Sequence, residues 1–222
     1  MKNIHTKPFK VMTILGTRPE IIRLSRVLPK MDEYFHHIIV YTKQSYDYGL
    51  SEIFFEELKL RKPDYILRVR ADTLGGQIAN IIKQTEEVLA KERPDALLIE
   101  GDTNSTLCVI VAKRLKIPIF HTEAGNRAFD WDVPEEINRR IVDHLSDFNL
   151  AYTEHARRYL LREGIAPETV FVIGSPYAEI VSYFESKIES SKILDELKVF
   201  PKQYIVVSTH REENIENENF LK

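Results

Sequence analysis

The sequence predicts an α/β protein built on a doubly wound parallel sheet. Two observations carry this: short β-branched runs alternate with longer segments of helical period, and the apolar runs end repeatedly in glycine-containing polar segments. Val11 to Leu15 is the first strand. It enters Gly16, suited to a tight turn, and Pro19 fits the first turn of a helix carrying Ile21, Ile22, Leu24 and Val27. His37 to Thr42 is a second strand, Ser51 to Leu58 a short helix, and Gly76 to Lys91 a long helix with Ile78, Ile81, Ile82 and Val88 on one face. Ala96 to Glu100 is near-continuously apolar, as in a strand covered on both sides. Asn104 can cap a helix through Leu115, Ile117 to Thr122 is the next strand, and Glu135 to Leu145 the next helix. Asn149 to Tyr152, a helix through Glu163, Val170 to Ile173, a polar helix through Leu197 and Tyr204 to Ser208 complete about seven strands. The acidic, lysine-rich stretch Glu185 to Lys198 reads as a solvated helix or hinge.

At 222 residues, 43% hydrophobic and 29% charged, the chain is long enough for one to two domains with a substantial core. A net charge of -3 with scattered histidines gives no basic stripe, so no nucleic-acid partner is expected. The lone cysteine, Cys108, lies in an apolar stretch and reads as a core residue of a reducing compartment. Met1 to Phe9 lacks an apolar signal core, and every apolar run falls short of the roughly 20 residues a membrane span needs. A cytoplasmic location and no membrane partner are therefore expected.

In open parallel sheets, ligands bind beyond the carboxyl ends of the strands. Here those positions are polar: Gly16-Thr17-Arg18-Pro19-Glu20, Glu100-Gly101-Asp102-Thr103-Asn104, His121-Thr122-Glu123-Ala124-Gly125 and Thr209-His210-Arg211-Glu212-Glu213-Asn214. Arg18 at a helix start suits a phosphate, or is a solvated arginine in a turn. No Gly-x-Gly-x-x-Gly run or Walker loop is present, which argues against dinucleotide or ATP chemistry. Asp102 is a functional carboxylate or a helix cap. Glu123 has no comparable structural excuse for ending an apolar strand. Glu135 and Glu136 open a helix, where the dipole alone accounts for acids. His210, taken singly, is more often structural than catalytic.

Together these segments resemble the non-hydrolysing UDP-N-acetylglucosamine 2-epimerases and their capsule and O-antigen relatives. The matching words are Gly16-Thr17-Arg18-Pro19-Glu20, Gly101-Asp102-Thr103-Asn104, Glu123-Ala124-Gly125-Asn126-Arg127, Pro134-Glu135-Glu136-Ile137-Asn138-Arg139-Arg140 with Asp143-His144, and His210-Arg211-Glu212-Glu213-Asn214. The resemblance implies a Rossmann-like amino-terminal domain over residues 1–185 of a two-domain, GT-B-like architecture. Residues 186–222 are then a linker helix and the start of a second domain that is largely absent. It implies an isomerase with no cofactor or metal, acting on a UDP-sugar. Asp102, Glu123, Glu135 and His210 fall on catalytic positions, and Arg18, Arg23, Gln44 and Arg127 on substrate-binding positions. The implied partners are a homodimer or a separate chain carrying the missing domain, and little activity is expected of this chain alone.

The residue types suit that chemistry. Expulsion of UDP from C1 makes the C2 proton of a 2-acetamido sugar removable, giving a glycal. Re-addition of UDP with protonation of the opposite face inverts C2, which requires two proton-transfer groups and a cationic clamp. Arg23, Lys43-Gln44-Ser45, Gly125-Asn126-Arg127, Tyr46-Asp47-Tyr48 and Phe129-Asp130 resemble the branch that forms UDP-N-acetyl-L-fucosamine from its L-talose-configured precursor.

Overall fold

Past Lys10, every residue of the first strand, β1 (Lys10–Leu15), is buried, so the strand must be covered on both faces. The computed structural model describes residues 9–43 and 52–207. The other strands are β2 (His36–Tyr41), β3 (Tyr65–Ile66), β4 (Ala96–Glu100), β5 (Ile119–Thr122), β6 (Phe148–Ala151) and β7 (Val170–Val172). They form one seven-stranded sheet, ordered β3-β2-β1-β4-β5-β6-β7. All pairings are parallel. Strand order therefore runs outward in both directions from the β1/β4 pair, and a crevice opens there beyond the strand ends.

Alternation along the strands assigns each face its core. Met12, Ile14, Val40, Leu97 and Ile99 pack with Ile81 and Val88 of α4 (Leu74–Glu92), Val109 and Ala112 of α5 (Val109–Arg114) and Val142 of α6 (Pro134–Leu145). Leu15, Ile39, Tyr41 and Leu98 pack with Ile21 and Leu24 of α1 (Arg18–Leu24), Leu28 of α2 (Val27–Tyr34) and Phe55 of α3 (Glu52–Glu57). Truncating a fully buried side chain such as Leu97 to alanine would cost about 2–5 kcal/mol. Thr73 caps α4 by accepting the Gly76 N–H at 3.1 Å, and Arg93 ends it in the left-handed region at φ +48°.

The expected alternation is present, with four corrections. The first helix does not reach Val27: it stops at Leu24, and Val27 opens α2. A continuous helix would drive the Pro29 ring into the Ser25 carbonyl, and the chain breaks at Ser25–Arg26 instead. Secondly, the short β3 was not anticipated, being too brief for period-two alternation to show, while Tyr204–Val207 is not strand. Ile205, Val206 and Val207 are 89%, 80% and 81% exposed, and an apolar run becomes a strand only where another strand takes its backbone groups. Ser208, the end of that expected strand, lies outside the described residues. Thirdly, the polar helix through Leu197 is two helices, α8 (Tyr177–Glu189) and α9 (Ile193–Leu197), parted at residues 190–192. Finally, Asn104 is not a cap: its Oδ1 accepts from Asn138 Nδ2 at 3.0 Å, and α5 is preceded by a 3-10 turn, Asn104–Cys108. The seventh helix in chain order, α7, is Glu154–Arg162.

The chain forms two compact units, Met1–Val181 and Ser182–Lys222, and the whole sheet belongs to the first. Among the described residues no helix is long and apolar enough to cross a membrane.

Candidate functional site

The segments following β1, β4 and β5 leave neighbouring strands at the same edge, so the sheet brings them together. After β1, the chain turns into α1 around the buried carboxyl of Glu20. Glu20 Oε2 accepts from the N–H groups of Gly16 at 2.9 Å and Thr17 at 2.6 Å, and from the Thr17 hydroxyl at 2.8 Å. Its Oε1 accepts from Thr103 Oγ1 at 3.1 Å, tying the first loop to the one after β4. Burial pushes the Glu20 carboxyl up to about 7 against these donors. Arg18, the first residue of α1, is exposed at the helix start, where backbone N–H groups and the dipole also favour an anion.

One turn further on, Arg23 meets the acids. Its Nη1 is 2.5 Å from Glu123 Oε2, and its Nε is 3.7 Å from Glu100 Oε1. Glu100 ends β4 fully buried. Tyr152, just after β6, donates its hydroxyl to both Glu100 oxygens at 3.0 Å, and Thr122 Oγ1 donates to Glu100 Oε2. Glu123 stands just beyond β5 with φ +65°, a backbone state that non-glycine residues adopt only at a cost of about 1–2 kcal/mol. Asn126 Nδ2 donates to its Oε1 at 3.2 Å. Burial raises the Glu123 carboxyl to about 8; Arg23 opposes this, while Glu100 and Asp102 reinforce it. Burial likewise raises the Tyr152 phenol, with Glu100 adding to the effect, so the phenol remains a donor.

Asp102 is held from α6. Arg139 donates to Asp102 Oδ2 through Nε at 2.9 Å and Nη2 at 2.5 Å. From Asp102 an alternating series of charges runs back to the neighbouring residue. Arg139 Nη1 bonds Glu136 Oε2 at 3.0 Å, and Arg140 Nη2 bonds Glu136 Oε1 at 2.8 Å. Arg140 Nη1 reaches Glu163 Oε1 at 3.0 Å, and Arg127 grips Glu163 through Nε at 2.8 Å and Nη2 at 2.6 Å. Arg127 Nη1 bonds Asp143 Oδ2 at 2.7 Å, and Asp143 Oδ1 lies 2.9 Å from His121 Nδ1. His121 Nε2 closes the series on the Gly101 carbonyl at 2.8 Å. Both His121 nitrogens thus face acceptors, and Asp143 with the Gly101 carbonyl raises the imidazole above its ordinary range although burial acts the other way. The turn after Glu123 is pinned to the same anion, since Gly125 N donates to both Asp143 oxygens at 3.2 Å.

The predicted site residues are therefore placed unequally. Asp102, Glu123 and Arg23 come together, with Arg18 at the start of the same helix as Arg23. Glu135 is exposed in the first turn of α6, the next turn of which carries Arg139. Arg127, expected from the resemblance to bind substrate, is buried, with its guanidinium nitrogens bonded to Asp143, Glu163 and the Asn126 carbonyl. Gln44 and His210 lie outside the described residues. Sequence reasoning assigned no role to Glu100, His121 and Asp143, although they stand in its motifs, and did not single out Tyr152 or Glu163. Glu100 and Tyr152 carried a signal, being polar residues at the ends of apolar strands. Among the described residues no cluster of three or more His, Cys, Asp or Glu could hold a metal ion.

Comparison with known proteins supplies the context for this arrangement. A family model described as UDP-N-acetylglucosamine 2-epimerase matches residues 29–222. The UDP-N-acetylglucosamine 2-epimerase of Methanocaldococcus jannaschii is 41% identical over 220 residues, covering 96% of this chain and 60% of the relative. The structure of UDP-N-acetylglucosamine 2-epimerase from Rickettsia bellii superposes with a TM-score of 0.89 at 53% identity, over 95% of this chain and 57% of that one. A structure of the M. jannaschii UDP-GlcNAc 2-epimerase in complex with UDP-GlcNAc and UDP gives a TM-score of 0.88 at 38% identity, over 96% and 59%. The chain thus spans about three fifths of the length of its relatives.

Proposed function

Since the chain belongs to the UDP-N-acetylglucosamine 2-epimerase family, an isomerase family, we propose that it inverts C2 of a UDP-2-acetamido sugar through elimination and re-addition of UDP. The carrying observation is the pair of acids Asp102 and Glu123, which leave neighbouring strands at one sheet edge with different partners, Arg139 and Arg23. C2 inversion needs two differently poised proton-transfer groups, one for each face of the ring. Loss of the C2 proton and departure of the C1–O electron pair with UDP give the glycal. Protonation of C2 from the other face and return of UDP to C1 give the epimer. Glu135, exposed in the first turn of α6, is the third acid of the set, and Arg18 with the start of α1 receives the diphosphate. His210 and Gln44 complete the substrate grip. No cofactor or metal takes part.

The substrate we infer is the L-talose-configured UDP-2-acetamido-2,6-dideoxy sugar whose epimer is UDP-N-acetyl-L-fucosamine, a precursor of capsule and O-antigen polysaccharide made in the cytoplasm. Support comes from Lys43 and from the words Gly125-Asn126-Arg127 and Phe129-Asp130. We place the amino-terminal domain at residues 1–185 and the start of a second at 186–222, and propose that turnover needs the further length that the relatives carry.

The test is deuterium incorporation at C2 from heavy water, followed by proton NMR for the talose- and gluco-configured sugars. It is run on this chain alone and mixed with the remaining lobe of the R. bellii relative. Exchange in the mixture is expected, falling about 10²–10⁴-fold in Asp102→Asn or Glu123→Gln. No exchange in either sample would refute the epimerase reading; exchange by the chain alone would refute the need for a second lobe.

A further inference from the structure

The charges around Glu123 do not balance by ion pairing. Asp102 is matched by Arg139, but Glu100 and Glu123 have only Arg23 between them among the described residues. Glu100 is fully buried, the side chain of Glu123 is 14% exposed, and both lie against the one Arg23 guanidinium. Two carboxylates in such a place cannot both ionise against one guanidinium, because an unmatched buried charge is too costly. One of them keeps a proton.

The donors decide which. Glu100 receives hydroxyl hydrogens from Tyr152, on both oxygens, and from Thr122. Glu100 is thus the more heavily donated carboxyl of the two. Glu123 receives Arg23 on one oxygen and the longer Asn126 amide on the other. The remaining groups facing the pair are Asp102 from the loop after β4, which disfavours a second negative charge on Glu123, His121 of β5, whose ring is already held by Asp143 and the Gly101 carbonyl, and Tyr177 from α8, which faces Arg23.

We propose that Glu100 and Glu123 form a dyad holding one proton under Arg23, in which Glu100 is the positioning residue that keeps this proton on Glu123. The proposal rests on Glu123 being a proton-transfer group of the epimerase. Glu123 is then the donor to the glycal. Its O–H bond breaks, the C1=C2 electron pair takes the proton to form the C2–H bond, and UDP oxygen closes on C1. Glu123 is left as a carboxylate beside the Glu100 carboxylate. That repulsion draws a proton back onto Glu123, from solvent or, in the reverse direction, from C2, and resets the site. Arg23 Nε, buried without a hydrogen-bond partner 3.7 Å from Glu100, is a donor free to tighten while both are charged.

The experiment is a carbon NMR titration of the 222-residue chain labelled at glutamate Cδ, with the Glu123 signal assigned by Glu123→Gln. Glu123 should titrate above neutrality, and its midpoint should fall by about one unit or more in Glu100→Gln, as for groups that share a proton. Should Glu100→Gln not fold, Tyr152→Phe replaces it: Glu100 loses its phenolic donor, the shared proton is redistributed, and the Glu123 midpoint again falls. An unchanged midpoint in whichever variant folds overturns the dyad. The deuterium assay separates this from the functional reading. A lowered midpoint without C2 exchange upholds the dyad and refutes the epimerase. Exchange with an unmoved midpoint refutes the dyad alone.

Discussion

Gly125 should be the least replaceable glycine of the described chain, and Gly125→Ala measures how tightly the turn after Glu123 is built into the fold. Its φ is +81°, where an alanine costs about 1–2 kcal/mol. A Cβ there would also lie 2.5 Å from the Ala156 carbonyl oxygen, 2.9 Å from its carbon and 2.9 Å from Leu160 Cγ. The obstruction is mostly backbone of α7, which cannot rotate aside, so overpacking adds about 1–3 kcal/mol. Gly164 is the matched control: φ is +87°, but a Cβ there meets nothing within 4 Å, leaving the conformational cost alone. Gly125→Ala should therefore lose about 2–5 kcal/mol and Gly164→Ala about 1–2 kcal/mol, read as urea midpoints at constant slope. In melting temperature, each kcal/mol corresponds to about 2–4 °C for a unit of this size. Equal losses in the two variants would refute the close approach of the turn to α7, and with it the reason for a glycine two residues beyond Glu123.

Asp143→Asn should be more damaging than its isosteric shape suggests, by about 3–5 kcal/mol in urea, because it leaves the buried Arg127 and His121 without their shared anion; a loss below about 1 kcal/mol would show those cations to be solvated. Glu20 holds a proton in the native chain up to about 7 that its unfolded form releases near 4.5, so native stability should fall as pH rises across that window, by at most about 3 kcal/mol. Glu20→Gln should reduce the decline, and an identical pH slope in the variant would count against the buried charge. His121, raised above 6.5, contributes stability that is fully present below 6.5 and lost as pH climbs through its native value. Nitrogen NMR should find both its ring nitrogens protonated at neutral pH, and a neutral tautomer there would contradict the geometry.

Much of this was legible in the chain because strand-end chemistry is local. The runs Val11–Leu15 and Ala96–Glu100 announce themselves by composition, and the polar residues after them fall at the crevice that any sheet of this winding creates. Asp102 and Glu123 stood out because a carboxylate after an apolar strand needs a reason. Glu100 was given no role of its own, since as the last residue of its strand it could not be told from the polar loop that follows. The partners of Arg127 were not legible for a related reason: a sequence gives the presence of a guanidinium but not what it meets, and Asp143 and Glu163 are 16 and 36 residues away. The break after Leu24 was legible in Pro29, whose clash four residues back could have been applied. β3 was not, because two residues carry no period.

The contacts from His121 through Asp143, Arg127, Glu163, Arg140, Glu136 and Arg139 to Asp102 start and finish on the adjoining residues Gly101 and Asp102. With His121 charged, opposite signs are matched one for one along the loop, and half of the side chains are fully out of water. A single drift step anywhere along it strands an odd charge, whereas exchanging neighbours together preserves the count. Inheritance through this part of the protein should thus proceed by coupled replacements, with Arg127 and Glu163 changing as one unit and Arg139 and Asp102 as another. A lineage that neutralised Asp102 would be expected to shed Arg139 as well.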